Sequence, residues 1–234
     1  MTWQTFAFLA VALTAFGYSG YRFSLLLRLM KAHQAPGPRL DQIPARLATT
    51  LLNVLGQQAV LRKKAIGVAH GTIFWGFILI TVGTLEQFAG TLYEGFDFTF
   101  IGEVPYRALA AIQDFFTVAI LLALGYAAYR RYVVRPAGLG KSRDADTVLA
   151  FTASLMVSIL TMNAFHIAGA APWYAPSLFF SNQLAQLIFG LGVTQEMAQG
   201  LSVLFKWIHM LLVLGFAAYI PHSKHLHIVA AGPN

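Results

Sequence analysis

The chain has no cysteine among its 234 residues. That excludes disulfides, thiolate-held iron–sulfur clusters and covalent CxxCH haem attachment within it. A redox cofactor here would need other ligands, and histidine, with seven copies, is the plentiful one. Charge is scarce as well. Asp, Glu, Lys and Arg make up 11% of the residues, where a soluble domain carries about 25%. What the sequence does have is long apolar runs, near 3–27, 67–90, 108–130, 147–169 and 201–221. Each is long enough to cross a hydrocarbon core of about 30 Å, which takes roughly 20 helical residues. The pattern predicts an all-α integral membrane protein, one domain over 1–234 with five transmembrane helices. No basic residue precedes the first run and it is too long for an h-region, so it reads as a span and not as a cleaved signal peptide.

The few charges set the expected orientation. After the first run stand Arg28, Lys31, Arg39, Arg46, Arg62, Lys63 and Lys64 against Asp41. The third connection holds Arg130, Arg131, Arg135, Lys141 and Arg143 against Asp144 and Asp146. The other two connections carry Glu94, Asp97, Glu103 and Arg107 in one case and Glu196 in the other. By the positive-inside rule the N-terminus lies outside and the C-terminus in the cytoplasm. The net charge of +7 is then a property of the inner face and gives no reason to invoke nucleic acid. Between the first two runs a Pro/Gly turn at 36–38 leads into a segment where Leu47, Leu51, Val54 and Leu55 recur at helical spacing. This predicts an amphipathic helix at the cytoplasmic interface, lying on lipid headgroups or docking a partner. The apolar loop after the fourth run, with Trp173 and Tyr174, predicts a short helix over 178–191 that caps the outer face.

Ionisable residues inside a span are costly and are functional candidates by default. The stretch HMLLVLGFAAYIPHSKHLH, 209–227, holds four of the seven histidines. His209 and His227 stand eighteen positions apart, five turns of helix, and share one face if the helix continues past Pro221. Topology pairs the rest by depth. His70, at the start of the outward-running second span, lies inside with His227. His166, near the end of the outward-running fourth span, lies in the outer half with His209. Two bis-histidine haems follow, a ligation that leaves no open iron position and suits electron transfer. The alternative, strongest for His166, is a histidine bonded to a neighbouring helix carbonyl. His33, His222 and His225 read as surface residues. Gly76, Gly83 and Gly90 recur every seven residues, which serves close helix packing or the approach of a flat macrocycle.

His209, a span, and then PHSKHLH ending on His227, together with His70 in AHGTIFWGF, resemble the gamma subunit of respiratory nitrate reductase, a five-helix di-haem cytochrome b. The same pattern is similar to the membrane subunits of heterodisulfide reductases. It is also similar to the membrane part of the iron–sulfur proteins that link electron-transfer flavoprotein to menaquinone. The resemblance implies that His70 and His227 hold the cytoplasm-proximal haem and that His209 is a ligand of the outer one. Its usual partner, ten residues after the first histidine, is here Ile80. His166 is the substitute that depth supplies; without it the protein holds one haem. The chain stops at HIVAAGPN, where the flavoprotein-linked relatives run on into a cytoplasmic iron–sulfur domain. A separate subunit and the membrane part of a longer iron–sulfur protein are both compatible with that.

The resemblance also implies a bacterial cytoplasmic (inner) membrane location, a cytoplasmic iron–sulfur or flavoprotein partner, and menaquinone or ubiquinone as the lipid-side substrate. Quinone reduction takes up protons, so a proton-exchanging residue near the outer haem is expected. Glu86 is the first candidate, with Asp114 and Lys206 as the others; each has an alternative role as an interfacial charge or salt-bridge partner. Haem propionates at the inner side would be met by Arg62, Lys63, Lys64, Arg28 or Lys224. The ending HSKHLHIVAAGPN is closer to the quinone-reducing, flavoprotein-linked branch than to the quinol-oxidising gamma subunits. The rival class is a non-redox membrane anchor or small transporter, which leaves the matched histidine depths as coincidence.

Overall fold

The computed structural model describes residues 2–32, 42–138 and 140–227. His33, the turn at 36–38 and the 228–234 ending lie outside them, as does the side chain of His225. Eight α-helices follow in order: α1 Trp3–Ala32, α2 Ile43–Thr50, α3 Gln58–Leu61, α4 Lys64–Leu92, α5 Glu103–Tyr129, α6 Arg143–Ala170, α7 Phe179–Gly190 and α8 Gln195–Tyr219. Four of them are long and apolar enough to cross a membrane: α4, α5 with its continuation to Val134, α6, and α8 with its continuation to His222. The thirty residues of α1 are as long, but the polar run Gly17–Arg22 interrupts its apolar sequence.

Helix ends are set by local chemistry. The Ser142 hydroxyl accepts the amide of Ala145 to start α6, and Asp144 and Asp146 fill its first turn, where a helix dipole favours anions. Thr194 starts α8 in the same way through the amide of Met197. The end of α8 corrects the sequence reading. The shared face of His209 and His227 requires a helix that continues past Pro221, but α8 stops at Tyr219. Ile220–His222 is a 3₁₀ turn, Ser223 is extended (φ −110°, ψ 167°), and Lys224–Leu226 is a second 3₁₀ turn. Pro221 has no amide hydrogen to continue the ladder, so the chain leaves the helix there. The five-turn register between His209 and His227 therefore has no geometric meaning.

The long helices run in alternating directions and pack in sequence neighbours, α4 on α5 and α6 on α8, with α1 laid against α8 and α7 against α6. A mid-depth core joins Ile80, Ile120, Leu155, Met156 and Phe216. The glycine repeat on α4 serves packing at that depth. A Cβ added at Gly76 would stand 2.7 Å from Ile120 and 2.8 Å from Phe116, and one at Gly83 would stand 2.8 Å from Gln113, all on α5. The outward faces are apolar, as at Leu122 (72% exposed) and Val133 (65%). The helix expected between the first two spans is broken. After α2 the chain makes one wider coil over Leu51–Leu55 and then breaks, with Gln57 in the left-handed region (φ 51°). Leu47, Leu51 and Leu55 are all exposed along it. The short helix expected over 178–191 is present as α7.

Candidate functional sites

Two places gather the chemistry, one at each end of the bundle. At the end where α4 begins and α8 has finished, the rings of His70 and His227 face each other with centroids 6.2 Å apart, tilted by 46°. Two imidazoles on opposite sides of one metal ion, with metal–nitrogen bonds of about 2.0 Å, place their centroids about 6.3 Å apart. The spacing fits such a pair. His227 Nδ1–H donates to the carbonyl of Lys224 (2.7 Å), which puts the lone pair on Nε2, the arrangement found where a histidine ligates through Nε2. On His70, Nδ1 is buried with no hydrogen-bond partner among the described residues, and a buried polar atom normally has one. Arg62, Lys63 and Lys64 stand just before and at the start of α4, upstream of His70, and Lys224 opens the short turn that His227 follows. Arg28 lies in the last turns of α1.

The second place is a cavity of about 360 Å³ between α4, α5, α6 and α8, within the size range of small-molecule sites. His166, His209, Glu86 and Lys206 all line it. His209 is 2% exposed. Its tautomer can be read from its neighbour. The Ser158 hydroxyl spends its hydrogen on the carbonyl of Leu155 (2.8 Å), so towards His209 it accepts, and His209 Nδ1–H donates to it (2.9 Å). The lone pair is therefore on Nε2. His166 stacks on Tyr174 (centroids 6.5 Å, 25°), which with Tyr106 forms an aromatic wall. Glu86 Oε1 accepts from the amide of Phe98 (2.8 Å) and from the Tyr106 hydroxyl (3.1 Å), tying the mouth segment to α4. Burial raises the Tyr174 phenol above its ordinary pKa, and the charge of Glu86 raises it further.

Asp114 is not brought to that cavity. Its carboxylate, 2% exposed, receives the amides of Phe180 (2.6 Å) and Ser181 (3.2 Å) and the Ser181 hydroxyl (2.6 Å). These amides open α7, whose N-cap residue Leu178 supplies no side-chain cap. An anion supplied by α5 thus satisfies donors that a helix start leaves unpaired. Of the surface histidines, His222 is tied to α1: its Nε2 shares a hydrogen bond with the Tyr18 hydroxyl (2.8 Å). Sequence reasoning missed Ser158 and Tyr106, and took Tyr174 only as an aromatic of the outer loop. An isolated serine or tyrosine in an apolar run has no spacing signature, and only the partner across the bundle marks it.

The geometry is that of an all-helical bundle with membrane-length apolar helices and histidines gathered at two depths. The chain is 33% identical over 227 residues to the probable iron-sulfur-binding oxidoreductase FadF of Bacillus subtilis (strain 168), covering 93% of this chain and 31% of that protein. It is 21% identical over 218 residues to the EtfAB:quinone oxidoreductase of Syntrophomonas wolfei subsp. wolfei, covering 82% of this chain and 28% of that protein. Both relatives are named oxidoreductases, and this chain spans about a third of the length of each. No protein-family model and no solved structure matches it.

Proposed function

We propose that the chain is a haem b-binding membrane unit that passes electrons between a cytoplasmic iron–sulfur or flavoprotein partner and membrane quinone. The carrying observation is the His70–His227 pair, with rings 6.2 Å apart and the His227 tautomer set for ligation through Nε2. The same reading takes α1 as a fifth span, the N-terminus as outside and the C-terminus as cytoplasmic, in a bacterial inner membrane. It takes the exposed leucines of the α2 segment as resting on lipid. The names of the two relatives, one iron-sulfur-binding and one acting between EtfAB and quinone, support this choice of partners. They also favour menaquinone or ubiquinone reduction over quinol oxidation by a nitrate reductase gamma-type subunit.

Bound haem supplies one-electron transfer at an iron with no open position. The protein's own residues do the rest. His70 and His227 hold the inner group, and Arg62, Lys63, Lys64, Arg28 and Lys224 are the cations available to its carboxylates. His209 and His166 hold the outer group. Glu86 and Lys206, on the same cavity, exchange protons with quinone. Asp114 holds α7 over that end.

The test is a reduced-minus-oxidised spectrum with a pyridine haemochrome assay on purified protein. Two haems b per chain are expected. One haem per chain removes His166 from the ligand set. An absence of b-type bands sinks the redox reading and leaves the anchor or transporter.

A further inference from the structure

His227 does not sit on a long helix, so something else must hold it opposite His70. After Tyr219 the chain has two 3₁₀ turns joined by an extended Ser223, and turns this short have few internal bonds of their own. Within the segment the Ser223 amide and hydroxyl donate to the Ile220 carbonyl and the Leu226 amide to the Ser223 carbonyl; further bonds come from other helices. Asp144, in the first turn of α6, reaches across to this segment with both carboxylate oxygens. Oδ1 accepts from the Tyr219 hydroxyl (2.6 Å), at the last residue of α8. Oδ2 accepts from the amide of Lys224 (2.8 Å), at the first residue of the second 3₁₀ turn. The same residue continues the chain of bonds, because the Lys224 carbonyl takes the His227 Nδ1–H at 2.7 Å. One carboxylate therefore grips the segment at both ends of its break, and the second grip is three residues from the histidine it orients.

Asp146, two residues after Asp144 and so on the other side of the helix, pairs with Arg131 and with the Tyr132 hydroxyl in the continuation of α5. The two acids of the first turn thus serve different neighbours. On the far side of the break, α1 adds two further contacts: Ser19 Oγ donates to the carbonyl of Ala217 (2.6 Å), and Tyr18 meets His222. Neither α1 contact reaches the turn that carries His227.

We propose that Asp144 is a positioning residue: by bridging Tyr219 and the Lys224 amide it fixes the turn after α8 so that His227 confronts His70. The consequence for ligation rests on the haem reading above; the clamp itself does not. Charge-assisted bonds to a carboxylate are about twice as strong as neutral ones, so an amide in its place should hold the turn less firmly and alanine not at all.

The absence of native cysteine makes the clamp directly readable. Ser223 is 6% exposed in the folded turn. In solubilised protein carrying Ser223→Cys, maleimide labelling should be slow. Adding Asp144→Ala should speed it by about tenfold or more, because local opening then governs access. Asp144→Asn should fall between the two, and Tyr219→Phe should change it less than Asp144→Ala. The second readout is the low-spin ferric signal of the inner haem, whose g-values follow the relative orientation of the two imidazoles. It should shift or lose intensity in Asp144→Ala and be partly restored in Asp144→Asn. Unchanged labelling overturns the clamp. Fast labelling with an unaltered haem signal overturns its positioning role. If the parent protein shows no b-type haem, the ligand reading fails and the labelling alone decides whether Asp144 holds the turn. Should Asp144→Ala not fold, Asp144→Asn carries the same comparison.

Discussion

At the scale of single residues, the histidines divide by what holds them. His227 and His209 each spend Nδ1–H on an oxygen and keep a lone pair on Nε2, whereas His222 shares its Nε2 with Tyr18. His227→Ala should therefore remove one haem per chain in the haemochrome assay, and His70→Ala should remove the same one. His222→Ala should retain full haem content, since the Asp144 bonds to the turn survive it. Loss of a haem from His222→Ala with none from His227→Ala would reverse the assignment. The residue types and depths were legible in the sequence, because an imidazole in an apolar run is conspicuous and alternating spans fix its level. The pairing of His70 with His227 follows from depth alone, and the structure brings the two rings together. The shared helical face of His209 and His227 depends on a helix continuing past Pro221, and the chain instead reaches His70 through a broken turn.

At the scale of elements, the long helices followed from apolar run length, and their boundaries from capping residues such as Ser142 and Thr194. Less legible were the places where one element is completed by another. The sequence of α7 contains no cap, and its start depends on Asp114 from α5, some 65 positions earlier. Reading Asp114 as a proton-exchanging candidate was reasonable from its place in a span, since a buried acid looks the same whether it serves chemistry or structure. The bond pattern separates the two. Removing a buried acceptor leaves its donors unpaired, at about 1–3 kcal/mol for each group. Asp114→Ala should therefore lower the thermal midpoint of the purified protein and expose α7 to protease, while Asp114→Asn, which keeps one acceptor oxygen, should lower it less. Haem content should change little in either. A stable Asp114→Ala protein that has lost quinone turnover would return Asp114 to the chemistry.

At the scale of the whole molecule, the two sites lie at opposite ends of one bundle, and under the proposed function they serve different partners. The inner pair sits beside the basic segment that opens α4, where a cytoplasmic donor would dock. The outer cavity combines a buried His209 with a carboxylate and an ammonium on its wall. Electrons can be handed along such a bundle, but protons for quinone must come from groups at the outer end. Of these, Glu86 is bonded to the Tyr106 hydroxyl and to the amide of the mouth segment, so it touches both the cavity and the way out of it. Glu86→Gln keeps the shape and an acceptor oxygen and removes the carboxyl's ability to take and release a proton. It should leave both haem bands and their reduction from the cytoplasmic side intact, while slowing quinone turnover by about 10²-fold or more, the scale of a lost proton-transfer group. His209→Ala should also stop turnover, but with loss of a haem, and His227→Ala should block entry of electrons from the cytoplasmic partner while the outer haem still exchanges with added quinol. Stopped-flow reduction from each side distinguishes the three. If Glu86→Gln turns over quinone at the parent rate, the carboxylate serves only to tie Phe98 and Tyr106 in place, and the proton must reach the cavity through Lys206.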